Sequence, residues 1–141
     1  MGLGDYSKRF LAVLLDAFPE FKEHIVEGQD EGCFEVKFFA PSNVVFRVGT
    51  ESLIADRITI SFDLYHCHSG GWDGSIDEKD FEDAIQYIRR LMCGEYQIAI
   101  WLRNGTYILG ETVERDKPVE QRFGRNGEEL TLTIKAWNLS D

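Results

Sequence analysis

The sequence predicts an α+β fold, a mainly antiparallel sheet of about six strands with two helices packed on one face, and three observations carry that reading. Apolar residues recur every three or four positions in two segments. They alternate with polar residues in several others, and Asn104-Gly105 falls between two apolar runs.

The first helical pattern runs from Asp5 to Ile25, with Phe10, Val13, Leu14, Ala17, Phe21 and Ile25 on its stripe and Asp5 or Ser7 available as a cap. Pro19 should kink or restart it, because proline lacks an N–H and clashes with the preceding turn. Cys33 to Ala40 and Asn43 to Val48 read as two short strands joined at Pro41-Ser42. From Leu53 to His68 a longer strand alternates: Ile58, Ile60, Phe62, Leu64, His66 and His68 share the core face, and Thr59, Ser61, Asp63, Tyr65 and Cys67 the polar one.

Ser69-Gly70-Gly71 ends that strand, and Trp72-Asp73-Gly74 continues the turn. Ser75 stands three residues before Glu78, the spacing of a capping box, and opens a second helix whose stripe is Phe81, Ala84, Ile85, Ile88, Leu91 and Met92, with Gly94 as its stop. Asn104-Gly105 then folds Tyr96–Leu102 back on Tyr107–Val113, pairing Leu102 with Tyr107 and Ile100 with Leu109. After a polar stretch and a loop at Gly124–Gly127, a last strand sets Leu130, Leu132, Ile134 and Ala136 inward, leaving this sheet one solvated face.

The length of 141 residues, with 43% hydrophobic and 28% charged, fits one domain spanning residues 1–141 with a core of its own. A formal charge of −10 argues against nucleic acid, whose binding rests on cationic contacts, and favours a basic partner or simply solubility. Cys33, Cys67 and Cys93 form neither a disulfide framework nor a zinc motif, which fits a reducing cytoplasm. No run has the ~20 apolar residues of a membrane span, and the apolar run Phe10–Leu15 lacks the features of a signal peptide.

Three constellations bear on chemistry. His66 and His68, two apart on a strand, project to one face and are candidate metal ligands, but a catalytic zinc takes three protein ligands and His24 has no spacing that predicts convergence. Cys67 beside a histidine suggests a nucleophile, yet alternation sends its sulfur to the opposite face. The acids Asp73, Asp77, Glu78, Asp80, Glu82 and Asp83 stand against Lys79 alone at the start of the second helix, where they complement the macrodipole and also present an acidic face. Glycine-rich phosphate loops and calcium loops are absent, so no cofactor is implied.

With Phe62-Asp63-x-Tyr65-His66-x-His68, Trp72 close behind and an acid-rich helix after it, the chain resembles the small acidic immunity proteins found beside bacterial polymorphic or contact-dependent toxins. The likeness covers roughly residues 58 to 113. It implies a cytoplasmic, non-enzymatic protein that neutralises one cognate toxin. The surface argument, separately, nominates Asp63, Tyr65, Trp72, Asp73, Asp77, Glu78, Asp80, Glu82 and Asp83 as the residues that meet a basic toxin domain. The competing readings are a metal-dependent hydrolase using His66 and His68 and a small-ligand-binding module.

Overall fold

A helix forms where its apolar stripe finds a surface to cover, and α1 (Asp5–Ala17) does so with Tyr6, Phe10 and Leu14, spaced four apart and buried. Val13, placed on the stripe by the sequence, lies outside it and is exposed. Gly4 occupies the N-cap, Asp5 lies in the first turn, and Ser7 is buried with its Oγ 2.6 Å from Thr50 Oγ1, so neither Asp5 nor Ser7 caps the helix. Pro19 does interrupt the pattern: the chain restarts there as a short 3-10 helix, Pro19–His24, which buries Phe21. The computed structural model describes residues 2–138.

The fold is α+β, with eight strands in two antiparallel sheets among the described residues. The first sheet is a five-stranded meander of β1 (Ile25–Glu27), β2 (Phe34–Phe39), β3 (Val45–Glu51), β4 (Arg57–Phe62) and β5 (Tyr65–Gly70), each paired with its sequence neighbour. Then α2 (Asp77–Met92) leads to β6 (Tyr96–Arg103), β7 (Thr106–Glu114) and β8 (Thr131–Lys135), a second sheet in the order β7-β6-β8.

The expected single sheet of about six strands is thus divided. The edges of β5 and β7 meet through side chains instead of a backbone ladder: Tyr65 packs on Gly110, and Thr112 Oγ1 donates to Tyr65 Oη at 3.3 Å. Lys135 Nζ adds a second link across the sheets, 3.8 Å from Asp63 Oδ2.

The long strand expected from Leu53 to His68 is a hairpin. Asp63 takes a positive φ of 56°, and Asp63-Leu64 form a two-residue turn that pairs Phe62 with Tyr65, Ile60 with Cys67 and Ile58 with Ser69. Directly paired residues share a face, so Tyr65, Cys67 and Ser69 lie on the core side while His66 and His68 lie outside with Ser61 and Thr59. This reverses the predicted faces of Tyr65, Cys67, His66 and His68, because a two-residue turn shifts the alternation by one.

The second helix behaves largely as its spacing predicts, burying Phe81, Ala84, Ile85, Ile88 and Leu91 and stopping at Gly94, whose N–H donates to Leu91 O. Its N-cap is Ile76 with no side-chain cap, so Ser75 does not perform that role. In the second sheet Leu102 pairs with Tyr107 as the turn predicts, but a bulge between Trp101 and Leu102 moves Leu109 opposite Trp101 and Gly110 opposite Ile100.

Both faces of β6 are buried. Ile98 and Ile100 join the main core, while Ala99 and Trp101 share the other face with Ile134 and Leu132 of β8. The segment between β7 and β8 folds toward that second face, where Arg122 donates to Glu111, the partner of Ala99. Leu132 and Ile134, expected inward, therefore share the face of Trp101 and Ala99, opposite the Ile98 and Ile100 face that joins the main core, and Ile134 is exposed there.

One apolar cluster joins α1, the 3-10 helix, the inner face of the meander, α2, β6 and Trp137. Trp137 stacks on Phe62 with ring centroids 6.0 Å apart and meets Phe38 and Phe46 edge-on at 5.7 and 5.1 Å. Ser42 holds that segment by donating its N–H to Trp137 O and its Oγ–H to Ala136 O. Among the described residues no helix is long and apolar enough to cross a membrane. Replacing Trp137 by Ala leaves a cavity among three Phe rings and is expected to destabilise the fold by about 3–5 kcal/mol, read from the urea midpoint at an unchanged slope.

Candidate functional site

The turn after β5 and the start of α2 enclose a cavity of about 480 Å³ whose lining includes Ile60, Cys67, Trp72, Ile76, Asp80 and Tyr87. Three local features build it. Gly70 and Gly71 at φ 81° and 83° turn the chain out of the sheet in a conformation open to glycine. The Trp72 ring then lies near Gly74, and Ser75 N–H donates to Trp72 O, so the indole projects outward, 64% exposed. Finally, Ser69 Oγ–H donates to Asp80 O at 2.7 Å and draws α2 against the end of β5.

The acids of this region divide into three kinds. Asp77 is held at 2.7 Å by Arg9, which also grips Asp5, so its charge ties α2 to α1. Asp83 is held at 2.6 Å by Lys79, an exposed pair of small energetic weight. Asp80 is 5% exposed and stands on the buried side of α2 with Phe81 and Ala84. Its Oδ2 would lie 2.7 Å from a Cβ built on Gly70, so the carboxylate occupies the space a side chain on β5 would need. Asp73, Glu78 and Glu82 are exposed and, among the described residues, have no ion-pair partner.

Asp63 and Tyr65 are not brought to this surface. They sit at the far end of β5, roughly 17 Å along the strand from Gly70, where Lys135 and Thr112 engage them as links between the sheets. In their place the structure brings Ile76, 64% exposed, beside Trp72. Its position just before an acid-rich helix was visible in the sequence, but capping logic drew attention to Ser75 instead.

His66 and His68 stand on the outer face with ring centroids 5.1 Å apart. His68 Nδ1 lies 2.9 Å from Thr59 Oγ1, and His24 is elsewhere, packed on Phe38. Among the described residues no group of three or more His, Cys, Asp or Glu is placed to hold a metal. Partial burial, together with the nearby Arg57, lowers the His68 pKa from its ordinary value. Burial pushes the Cys67 thiol up, against a bond with Tyr87 that pulls it down, which disfavours a nucleophilic thiolate. The Tyr87 hydroxyl is 2.6 Å from Thr112 Oγ1, and burial pushes it upward as well.

A second cavity of about 310 Å³ lies on the outer face of the meander between Glu35, Arg47, Glu51 and Arg57, with exposed Leu53 and Ile54 at its rim. Four of its charges are paired, Arg47 with Glu35 at 3.4 Å and Arg57 with Glu51 at 2.8 Å, while Asp30 accepts the Ser52 N–H. No protein-family model, curated protein or solved structure matches the chain.

Two outcomes test this geometry. Gly70→Ala adds a methyl at positive φ against a buried carboxylate and should cost about 2 kcal/mol, read by chemical denaturation. The lowered pKa of His68 means that the unfolded chain binds its proton more readily, so stability is complete above about pH 6.5 and falls as pH drops below it. His68→Asn should flatten the loss of stability between pH 7 and 5, measured by denaturation midpoints across that range.

Proposed function

We propose that this chain is a non-enzymatic protein-binding inhibitor that meets a basic partner through the surface formed by the Trp72 turn and the start of α2. The observation that carries the reading is the juxtaposition of two exposed apolar side chains, Trp72 and Ile76, with three carboxylates that are unpaired among the described residues, Asp73, Glu78 and Glu82, on a chain of formal charge −10. Aromatic anchors that lose water on contact supply affinity, and a field of one sign speeds and orients encounter. Glu78 and Glu82 lie one helical turn apart, so they present their charge together.

The proposed partner class follows from the resemblance to bacterial immunity proteins: a basic toxin domain, bound and neutralised in the cytoplasm. Neutralisation requires only that the complex cover the toxin's working surface, and no chemistry on the inhibitor's side enters.

The test uses the purified chain as bait in native lysate, followed by mass spectrometry and binding kinetics with the captured protein. A basic protein is expected, and Asp73→Lys, Glu78→Lys and Glu82→Lys together should slow its association about tenfold or more and remove the salt dependence. Association at an unchanged rate would remove this surface from the reading.

A further inference from the structure

The most unusual group in the molecule is Asp80. A carboxylate in a residue only 5% exposed loses much of its hydration, and such a group ordinarily finds a cation or several hydrogen-bond donors. Lys79, its neighbour in sequence, is held by Asp83, and Arg9 of α1 is held by Asp5 and Asp77. Among the described residues, no side-chain bond or ion pair satisfies the Asp80 carboxylate; the bond from Ser69 goes to its backbone oxygen. Asp80 nevertheless lines the open Trp72 cavity.

A second orphaned group lies behind Gly70, the glycine beside that carboxylate. Tyr6 is 6% exposed, and its hydroxyl is buried without a hydrogen-bond partner among the described residues. That oxygen would lie 3.4 Å from a Cβ built on Gly70, itself on the cavity wall and 2.7 Å from Asp80 Oδ2. Only Asp80 of these two lines the cavity, which is walled by Trp72 and Tyr87, with Ile60, Ile76 and Ala84 supplying apolar surface, while the Tyr6 hydroxyl lies buried behind Gly70. Lys79 and Asp83, paired at 2.6 Å, share the cavity lining, and His68 borders it from the outer face of β5.

We propose that this cavity receives one arginine side chain of the protein partner, its guanidinium bonded to Asp80 and stacked against the Trp72 ring. The proposal rests on the protein-binding reading above and adds the chemistry of its central contact. A guanidinium carries five N–H donors in a planar fork, stacks on aromatic rings and is only weakly hydrated, which suits a carboxylate that can accept two of those donors beside an indole. The aliphatic stem of arginine matches the apolar wall. A metal ion does not fit, since no cluster of three ligands is present among the described residues. A free metabolite would leave Trp72 and Ile76 uncovered, whereas a protein surface around the arginine would cover both.

The probe is N-acetyl-arginine methylamide, titrated into the full chain and followed by NMR at the Gly70 and Gly74 amides. N-acetyl-citrulline methylamide, its neutral near-isostere, is the control. Saturable shifts with the arginine compound, and binding of citrulline about tenfold weaker, are the expected result. Asp80→Asn, checked for folding by its melting curve, should abolish that preference. Trp72→Ala alters an exposed position, so folding is retained, and it should weaken the arginine compound about fivefold.

Equal binding of the two compounds, a preference that survives Asp80→Asn, or arginine affinity unchanged in Trp72→Ala would overturn the proposal. The two readings fail separately. Arginine preference with no partner captured counts against the protein-binding reading alone, and partner capture with no arginine preference counts against the receptor alone.

Discussion

The two-residue turn at Asp63-Leu64 decides which side of β5 meets α2, and most of the site depends on that decision. Reversing direction there advances the alternation by one, so Tyr65, Cys67 and Ser69 face inward beside Phe62, Ile60 and Ile58. Ser69 can then bind the backbone of Asp80, and Gly70 can accept its carboxylate. A straight strand would instead have set His66 and His68 beneath the helix. The histidines owe their exposed position to the turn, and the thiol of Cys67 owes its burial to it.

The outer face of the meander remains open because it satisfies itself. Glu35 and Arg47, Glu51 and Arg57, and Thr59 and His68 engage one another across neighbouring strands. Exposed pairs of this kind add little stability each. Their collective effect is to keep that face polar. At the Trp72 end the balance differs: apolar surface and unpaired negative charge lie together, a combination that interior packing has left unused.

Much of the fold was legible wherever a local rule operates. The stripe of α2, the break at Pro19 and the Asn104-Gly105 hairpin all follow from neighbours in the chain. The Asp63 turn escaped because neither Asp63 nor Leu64 is glycine, so alternation read straight through it. The division into two sheets escaped because it depends on which edges meet in space, a matter of Tyr65 against Gly110.

For the site, sequence reasoning found Trp72 and the acids but could not sort them, since Arg9 claims Asp77 from a distant helix. Asp80 was readable in principle. It precedes Ala84 by four and Tyr87 by seven, the phase of the buried stripe, and a carboxylate on that stripe marks a position where packing alone does not explain the residue.

Trp137 gives the molecule a timetable. The five strands of the meander pair in sequence order and can assemble by short-range steps. The ring that packs against Phe38, Phe46 and Phe62 arrives only after the second sheet has been crossed. During synthesis the meander must wait, paired but unsealed, with three phenylalanines open to any chain nearby. Both α2 and the second sheet have to emerge before that seam closes, so the interval open to misassociation outlasts completion of the meander.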